Sequence, residues 1–250
     1  MSGHGTLAVV SGVALIGLDP VEVRVEASLA PGLPVLRLIG LPDAAVREAG
    51  DRVRTGLQRS GCTWPNERLV VNLAPADLPK AGTAFDLPLA LAVLVATGQI
   101  PAASLDGLWA CGEVGLDGSL RPLPGMLPLA AGARALGARR LLVPEAAAAE
   151  AALVDDLDVV AAGDLIEVVA VLRGEQSARS VEPAPLAVGP AGADLADVRG
   201  QPLARRAVEV AAAGARRARA SAPRAVRRGP ARPCAPVTAL RAWERPVHLR

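Results

Sequence analysis

Lysine is almost missing from this chain. It carries 27 basic side chains, and every one except Lys80 is arginine. Tyrosine is absent, phenylalanine occurs once, and aromatic residues make up 2% of the sequence, so any core must be built from Val, Leu, Ile and Ala. The three cysteines, Cys62, Cys111 and Cys234, are odd in number and far apart. That excludes a disulfide framework and a CxxC metal site and points to free thiols in a reducing compartment. The two histidines, His4 and His248, sit near the ends, too few and too peripheral for a zinc or histidine-based catalytic centre. Long apolar runs are missing too. The longest, Leu87–Ala96, is about half of what a membrane-spanning helix needs and is interrupted by Pro88. No basic n-region precedes the apolar stretch that starts at Leu7, so no secretory signal is read. These absences predict a soluble, cytoplasmic protein with no membrane partner and no metal site.

What is present is an aliphatic chain of 250 residues, 51% hydrophobic, long enough for one large domain or for one domain and a fragment of another. The excess of Ala, Arg, Gly and Pro fits a G/C-rich genome. The net charge of +2 conceals an asymmetry. Residues 201–250 hold twelve arginines against Glu209 and Glu244, a balance of +10 that leaves −8 on residues 1–200. An acidic body with a basic end is one pattern of a nucleic-acid tail, which makes DNA a possible partner.

The most distinctive stretch is Asn72-Leu-Ala-Pro-Ala-Asp-Leu-Pro-Lys80-Ala-Gly-Thr-Ala-Phe85-Asp86. It leaves the apolar strand Arg68–Leu73, turns through two prolines and a glycine, and enters an apolar helix predicted over Phe85–Thr97. Proline fixes φ and glycine relieves it, so the loop should be rigid. Lys80 is placed at its tip between Asp77 and Asp86. Two roles compete for it: a cation offered to a phosphate or an acidic partner, or a salt bridge to Asp77 or Asp86 that braces the loop. Asp86 at the head of a helix also reads as an N-cap.

Upstream of this loop, Thr6–Ile16, Val21–Ser28 and Val35–Ile39 read as three strands of an antiparallel meander, with strict alternation in Val21-Glu-Val-Arg-Val-Glu. Gly40-Leu-Pro-Asp43 opens a helix whose stripe is Val46, Ala49, Val53 and Leu57, stopped by Ser60-Gly61. Its charges, Arg47, Glu48, Asp51, Arg52 and Arg54, are expected on a solvated face. Downstream, Leu108–Gly115 and Ser119–Leu123 form an expected hairpin around Asp117-Gly118. Helices over 127–136, 145–153 and 164–173 then alternate with strands over 140–143 and 158–161, the pattern of βαβ crossovers. Residues 175–193 read as a proline-rich linker, 202–213 as a helix, and 215–250 as a disordered Arg/Pro/Ala tail.

Several stretches together resemble one family. Gly40-Leu-Pro-Asp-Ala-Ala-Val-Arg-Glu48, Val71-Asn-Leu-Ala-Pro-Ala-Asp-Leu-Pro-Lys-Ala-Gly82 with Phe85-Asp-Leu-Pro88, and Gly112-Glu-Val-Gly-Leu-Asp-Gly-Ser-Leu-Arg-Pro122 look like the magnesium-chelatase-like AAA ATPases of YifB/ComM type. Asp197-Val-Arg-Gly-Gln201 and Ala207–Gly214 are similar to the entry of that family's ATPase module. The resemblance implies an α/β fold in which residues 1–174 form a two-layer Lon-protease-like, ribosomal-protein-type domain. A linker over 175–193 and the start of an AAA module over 194–214 would follow. It also implies hexameric self-association, ATP and Mg²⁺ as cofactors of full-length members, and a DNA helicase or branch-migration role in natural transformation.

The resemblance also frames what chemistry to expect. Lon-type proteases pair a serine nucleophile with a lysine base; here the matching positions are Ala84 and Leu127. A Thr83/Lys80 pair is the remaining peptidase arrangement, since a hydroxyl needs a neighbouring base. A P-loop needs G-x-x-x-x-G-K-[ST], and no lysine follows Lys80. The expectation is a non-catalytic domain with no cofactor of its own. The tail after Gly214 has the composition of a G/C-rich gene translated out of frame, and a lysine-bearing P-loop in another frame is the expected sign of it.

Overall fold

The computed structural model describes residues 7–17, 19–76, 80, 82–183, 202–213, 219–220 and 240–241. The chain divides into two units, Met1–Pro185 and Leu186–Arg250.

The first unit is built on a seven-stranded mixed sheet of order β3-β4-β2-β1-β5-β8-β9. Its strands in that sheet are β1 (Ala8–Ile16), β2 (Asp19–Ala30), β3 (Leu36–Ile39), β4 (Arg68–Ala74), β5 (Leu108–Ala110), β8 (Arg140–Pro144) and β9 (Asp158–Ala162). A separate two-stranded hairpin joins β6 (Glu113–Val114) to β7 (Leu120–Arg121). The helices are α1 (Ala44–Arg59), α2 (Asp86–Ala96), α3 (Met126–Ala135), α4 (Glu145–Ala151) and α5 (Leu165–Leu172), with one 3-10 turn at Ala102–Leu105.

Alternation decides which face each strand presents. In β2, Val23, Val25 and Ala27 are buried while Arg24 is exposed, as the period of two requires. These side chains join Leu69, Val71 and Leu73 of β4 in a core capped by α1, α2 and α5. In β5 and β8 both faces are used. Leu108, Ala110 and Leu142 enter that core, while Trp109, Leu141 and Val143, with Cys111 just past β5, enter a second one under α3 and α4. The β5–α3–β8 and β8–α4–β9 crossovers are parallel, as the alternating pattern predicts. Strands buried on both faces read as continuous apolar runs, which Leu141-Leu-Val143 does. Every residue of α2 is buried. A helix apolar all round must be enclosed, and this one lies between α1 and the sheet.

Two expectations need correction. The meander stops after its first hairpin. β1 and β2 pair antiparallel, but β4 takes the place beside β2, and β3 pairs with β4 in parallel at the sheet edge. The reason is burial: β4 offers three fully apolar inward residues, whereas β3 is short, carries Arg37 and follows Pro34. Short strands bounded by charge and proline belong at edges. The strand expected over Leu108–Gly115 is also divided, with β5 in the main sheet and β6 in the hairpin.

The expected linker begins with contacts to the body. Arg179 binds Glu145 at 2.6 Å and also pairs with Glu167, and Val181 packs on the second core. Burial pushes the Glu167 carboxyl up, but the Gly163 N–H and Arg179 hold it below its ordinary value. In the second unit, α6 (Pro202–Ala213) has the bounds read from the sequence. Most of the tail lies outside the described residues; β10 (Arg219–Ala220) and β11 (Leu240–Arg241) pair antiparallel. Among the described residues, no helix is long and apolar enough to cross a membrane.

Candidate functional site

Two of the stretches that carry the resemblance meet in space. β3 ends at Ile39; Gly40 follows with a φ of +101, and Leu41 with +53. A Cβ on Gly40 would lie 2.1 Å from the Leu73 carbonyl oxygen, so only glycine lets the chain press against the end of β4 here. Asp43 then does three things. One carboxylate oxygen caps α1 by accepting from Val46 N at 2.8 Å; the other accepts from Gly82 N at 3.2 Å; its own N–H donates to the Lys80 carbonyl at 3.0 Å. Lys80 N donates in turn to the Leu41 carbonyl at 3.3 Å, which makes Pro42 and Lys80 a short parallel bridge. Lys80 and Gly82 are thus tied to the first motif, while residues 77–79 and 81 of the expected rigid loop lie outside the described residues.

Lys80 itself corrects the reading of a cationic tip. Its side chain is 1% exposed, and its Nζ donates to the Pro75 carbonyl. It lines a small cavity of about 200 Å³ with Ala84, Phe85, Leu129 and the ends of β1 and β2. A buried ammonium is not presented to an external phosphate; among the described partners the Pro75 carbonyl receives it, and the expected bridge to Asp77 falls on a residue outside those described.

Asp86 is also corrected. It is fully buried and stands one residue inside α2, where it caps nothing. Arg52 of α1 grips it with two donors, at 2.8 and 3.0 Å, and Val114 N donates to it at 3.3 Å. Arg52 also donates to the Ala45 carbonyl at 3.0 Å. Its side chain is 19% exposed, so it does not belong to the solvated face expected of the α1 charges. Burial raises the Asp86 carboxyl above its ordinary range against the pull of Arg52, and the bond to Asp86 raises the Arg52 guanidinium. This pair clamps α1, α2 and β6 together.

Thr83 is half-buried and its carbonyl accepts from Asp86 N at 3.2 Å. Ala84 and Leu87 are zipped to Gly112 by two backbone bonds of 3.3 and 3.1 Å. Leu127 is partly exposed at the start of α3, and its N–H donates to Glu150 at 2.9 Å. Asp77 lies outside the described residues. Among those described, no cluster of three or more His, Cys, Asp or Glu is placed to hold a metal ion. Asp43 and Arg52 are the two site residues that the sequence reading did not single out. Asp43 left a signal, an aspartate three residues before Val46 at a helix start. Arg52 left none, because its partner is 34 residues away and helical spacing does not identify it.

Comparison with known proteins bears on the same region. A family described as subunit ChlI of Mg-chelatase matches residues 25–147, from β2 into α4, and so contains both interlocked motifs. YifB of Escherichia coli is 37% identical over 209 residues, 84% of this chain and 41% of that protein. Competence protein ComM of Haemophilus influenzae is 39% identical over 220 residues, 84% of this chain and 42% of its own length. An uncharacterized Mycobacterium tuberculosis protein is 43% identical over 203 residues, 81% of this chain and 40% of its own. The chain therefore spans about two fifths of the length of the curated relatives it matches.

Proposed function

Because this chain belongs to the YifB/ComM-type family of Mg-chelatase-like proteins, we propose that it is the non-catalytic N-terminal domain of a ring-forming ATPase that works on DNA. The process would be the competence for which its Haemophilus influenzae relative is named. The observation that carries the non-catalytic part is the enclosed Lys80 beside Ala84. The position where Lon-type proteases hold a serine is Ala84, the base position is Leu127, and the one lysine is buried against Pro75. The loop that elsewhere performs chemistry here locks two motifs together.

ATP and Mg²⁺ do not fit the residues of this chain. Its sequence has no G-x-x-x-x-G-K-[ST], and its single lysine is enclosed in the first unit. Nucleotide chemistry and the hexameric ring are assigned to the longer protein, with this domain as its scaffold.

The purified chain should turn over no ATP and show no rise in melting temperature with Mg-ATP. A ligand at a hundred times its Kd stabilises by about 2.7 kcal/mol, an easily seen shift. Such a shift would overturn the assignment. A second reading, DNA binding through the +10 of residues 201–250, is favoured instead if DNA is bound with steep salt dependence and lost on deleting the tail. Covalent labelling of Thr83 by a serine-hydrolase probe would favour a residual peptidase.

A further inference from the structure

The edge strand β3 and the groove beside it touch the Lys80 interlock only at their far end, through the Leu41 carbonyl. We propose that this edge binds an extended acidic peptide, which joins the sheet as an added strand.

The backbone is oriented for it. β3 is the last strand on its side of the sheet. The Val35 carbonyl accepts from Leu69 N at 2.9 Å, so Val35, Arg37 and Ile39 direct their main-chain groups at β4. In a strand the next residues face the other way, which turns the N–H and C=O of Leu36 and Leu38 outward. A short row of donors and acceptors is thus left along an edge, the template that strand addition uses.

The side chains specify the occupant. Between β3 and α1 lies a groove of about 850 Å³, a volume suited to a few residues of peptide. Val35, Ile39 and Leu41 line it and are 52%, 43% and 59% exposed, so an apolar strip accompanies the free edge. Around that strip stand Arg37, Arg47 and Arg54 against the single carboxylate of Asp51. Among the described residues no carboxylate lies within ion-pair distance of these three arginines, and Arg54 is held over the Trp64 ring at 5.9 Å. Val35, Arg37 and Ile39 share one face of the strand while Arg47 and Arg54 stand on α1, so a partner strand that alternates apolar and acidic residues sets its apolar row against the strip and its acidic row toward α1.

The same features disfavour other occupants. Two copies meeting edge to edge would set one arginine cluster against another, a like-charge arrangement. A nucleic-acid backbone would neutralise the arginines but leave the apolar strip and the outward amides unmatched. This inference rests on the groove and not on the family reading.

The test uses the full chain and fluorescein-labelled Glu-Val-Glu-Val-Glu-Val, followed by anisotropy. Saturable binding is expected, together with a loss of about tenfold on either Arg37→Glu or Arg54→Glu. Thermal melts of both variants establish that they fold. A peptide N-methylated at alternate residues should bind in one phase of the alternation and fail in the other. That control leaves the protein untouched. The proposal is overturned by equal binding of Lys-Val-Lys-Val-Lys-Val, by indifference to N-methylation, by displacement through self-association of the chain, or by a single-stranded oligonucleotide binding the groove more tightly.

Discussion

Lys80 behaves differently from a surface lysine, and one substitution separates the two cases. Truncating an exposed lysine changes stability by about 0.5 kcal/mol or less. Lys80→Ala instead removes a buried side chain and leaves the Pro75 carbonyl unmatched, so a loss of about 1–3 kcal/mol is expected in urea titration. Cys111 gives a second residue-scale test. It is fully buried beside Met126, and burial pushes its thiol up to about 12 from an ordinary 9.0. The folded chain therefore keeps a proton that the unfolded chain gives up. Its contribution is intact below pH 9 and drains away as pH rises toward 12. Tyrosine is absent and lysine occurs once, but Cys62, whose thiol burial also raises, titrates in the same window, so the Cys111 share is read from its own substitution. The melting temperature should fall above pH 9, and Cys111→Ala should flatten that fall. Iodoacetamide should reach Cys111 only after denaturation.

At the scale of elements, the joint between α1 and α2 is the Arg52–Asp86 pair. Breaking a buried pair by removing one member costs about 3–5 kcal/mol, because the other charge stays buried. Asp86→Leu alone should approach that range. Adding Arg52→Met to it should recover much of the loss, and a double-mutant cycle measures the coupling. The elements also show what a sequence can and cannot disclose. The α1 stripe, the enclosure of α2 and the crossovers around α3 and α4 were readable, because each depends on a local period. The edge position of β3 was not, since it results from competition with β4, which lies beyond a whole helix. Arg52 was hidden among six charges on one helix, of which only tertiary contact selects one. Lys80 was legible as singular but not as buried, because a loop flanked by prolines looks exposed until its partner motif is in place.

For the whole molecule, the boundary of the first unit can be tested by length. The contacts of Arg179 with Glu145 and Glu167 place residues 175–183 against the body. A chain ending at 174 should melt below one ending at 183, and Arg179→Ala in the longer chain should reproduce most of the difference. Equal melting of all three would show those contacts to contribute nothing. The acid side follows from Glu167, whose carboxyl is held below its ordinary value. Its contribution is present above the unfolded pKa and is lost as pH falls through the folded one.

The insertion of β4 between β2 and β3 has a consequence for the order of assembly. Synthesis proceeds from the N-terminus, so the β1–β2 hairpin leaves the ribosome first, and β3 and α1 follow before the strand that joins them to it. Until Arg68–Ala74 emerges, the outer edge of β2 has no partner and β3 has nothing to pair with. Closing that gap requires contacts distant in sequence, which form late and slowly. The nascent chain therefore carries an open apolar edge for the time it takes to translate residues 31–67, the interval in which a chaperone would have most to protect.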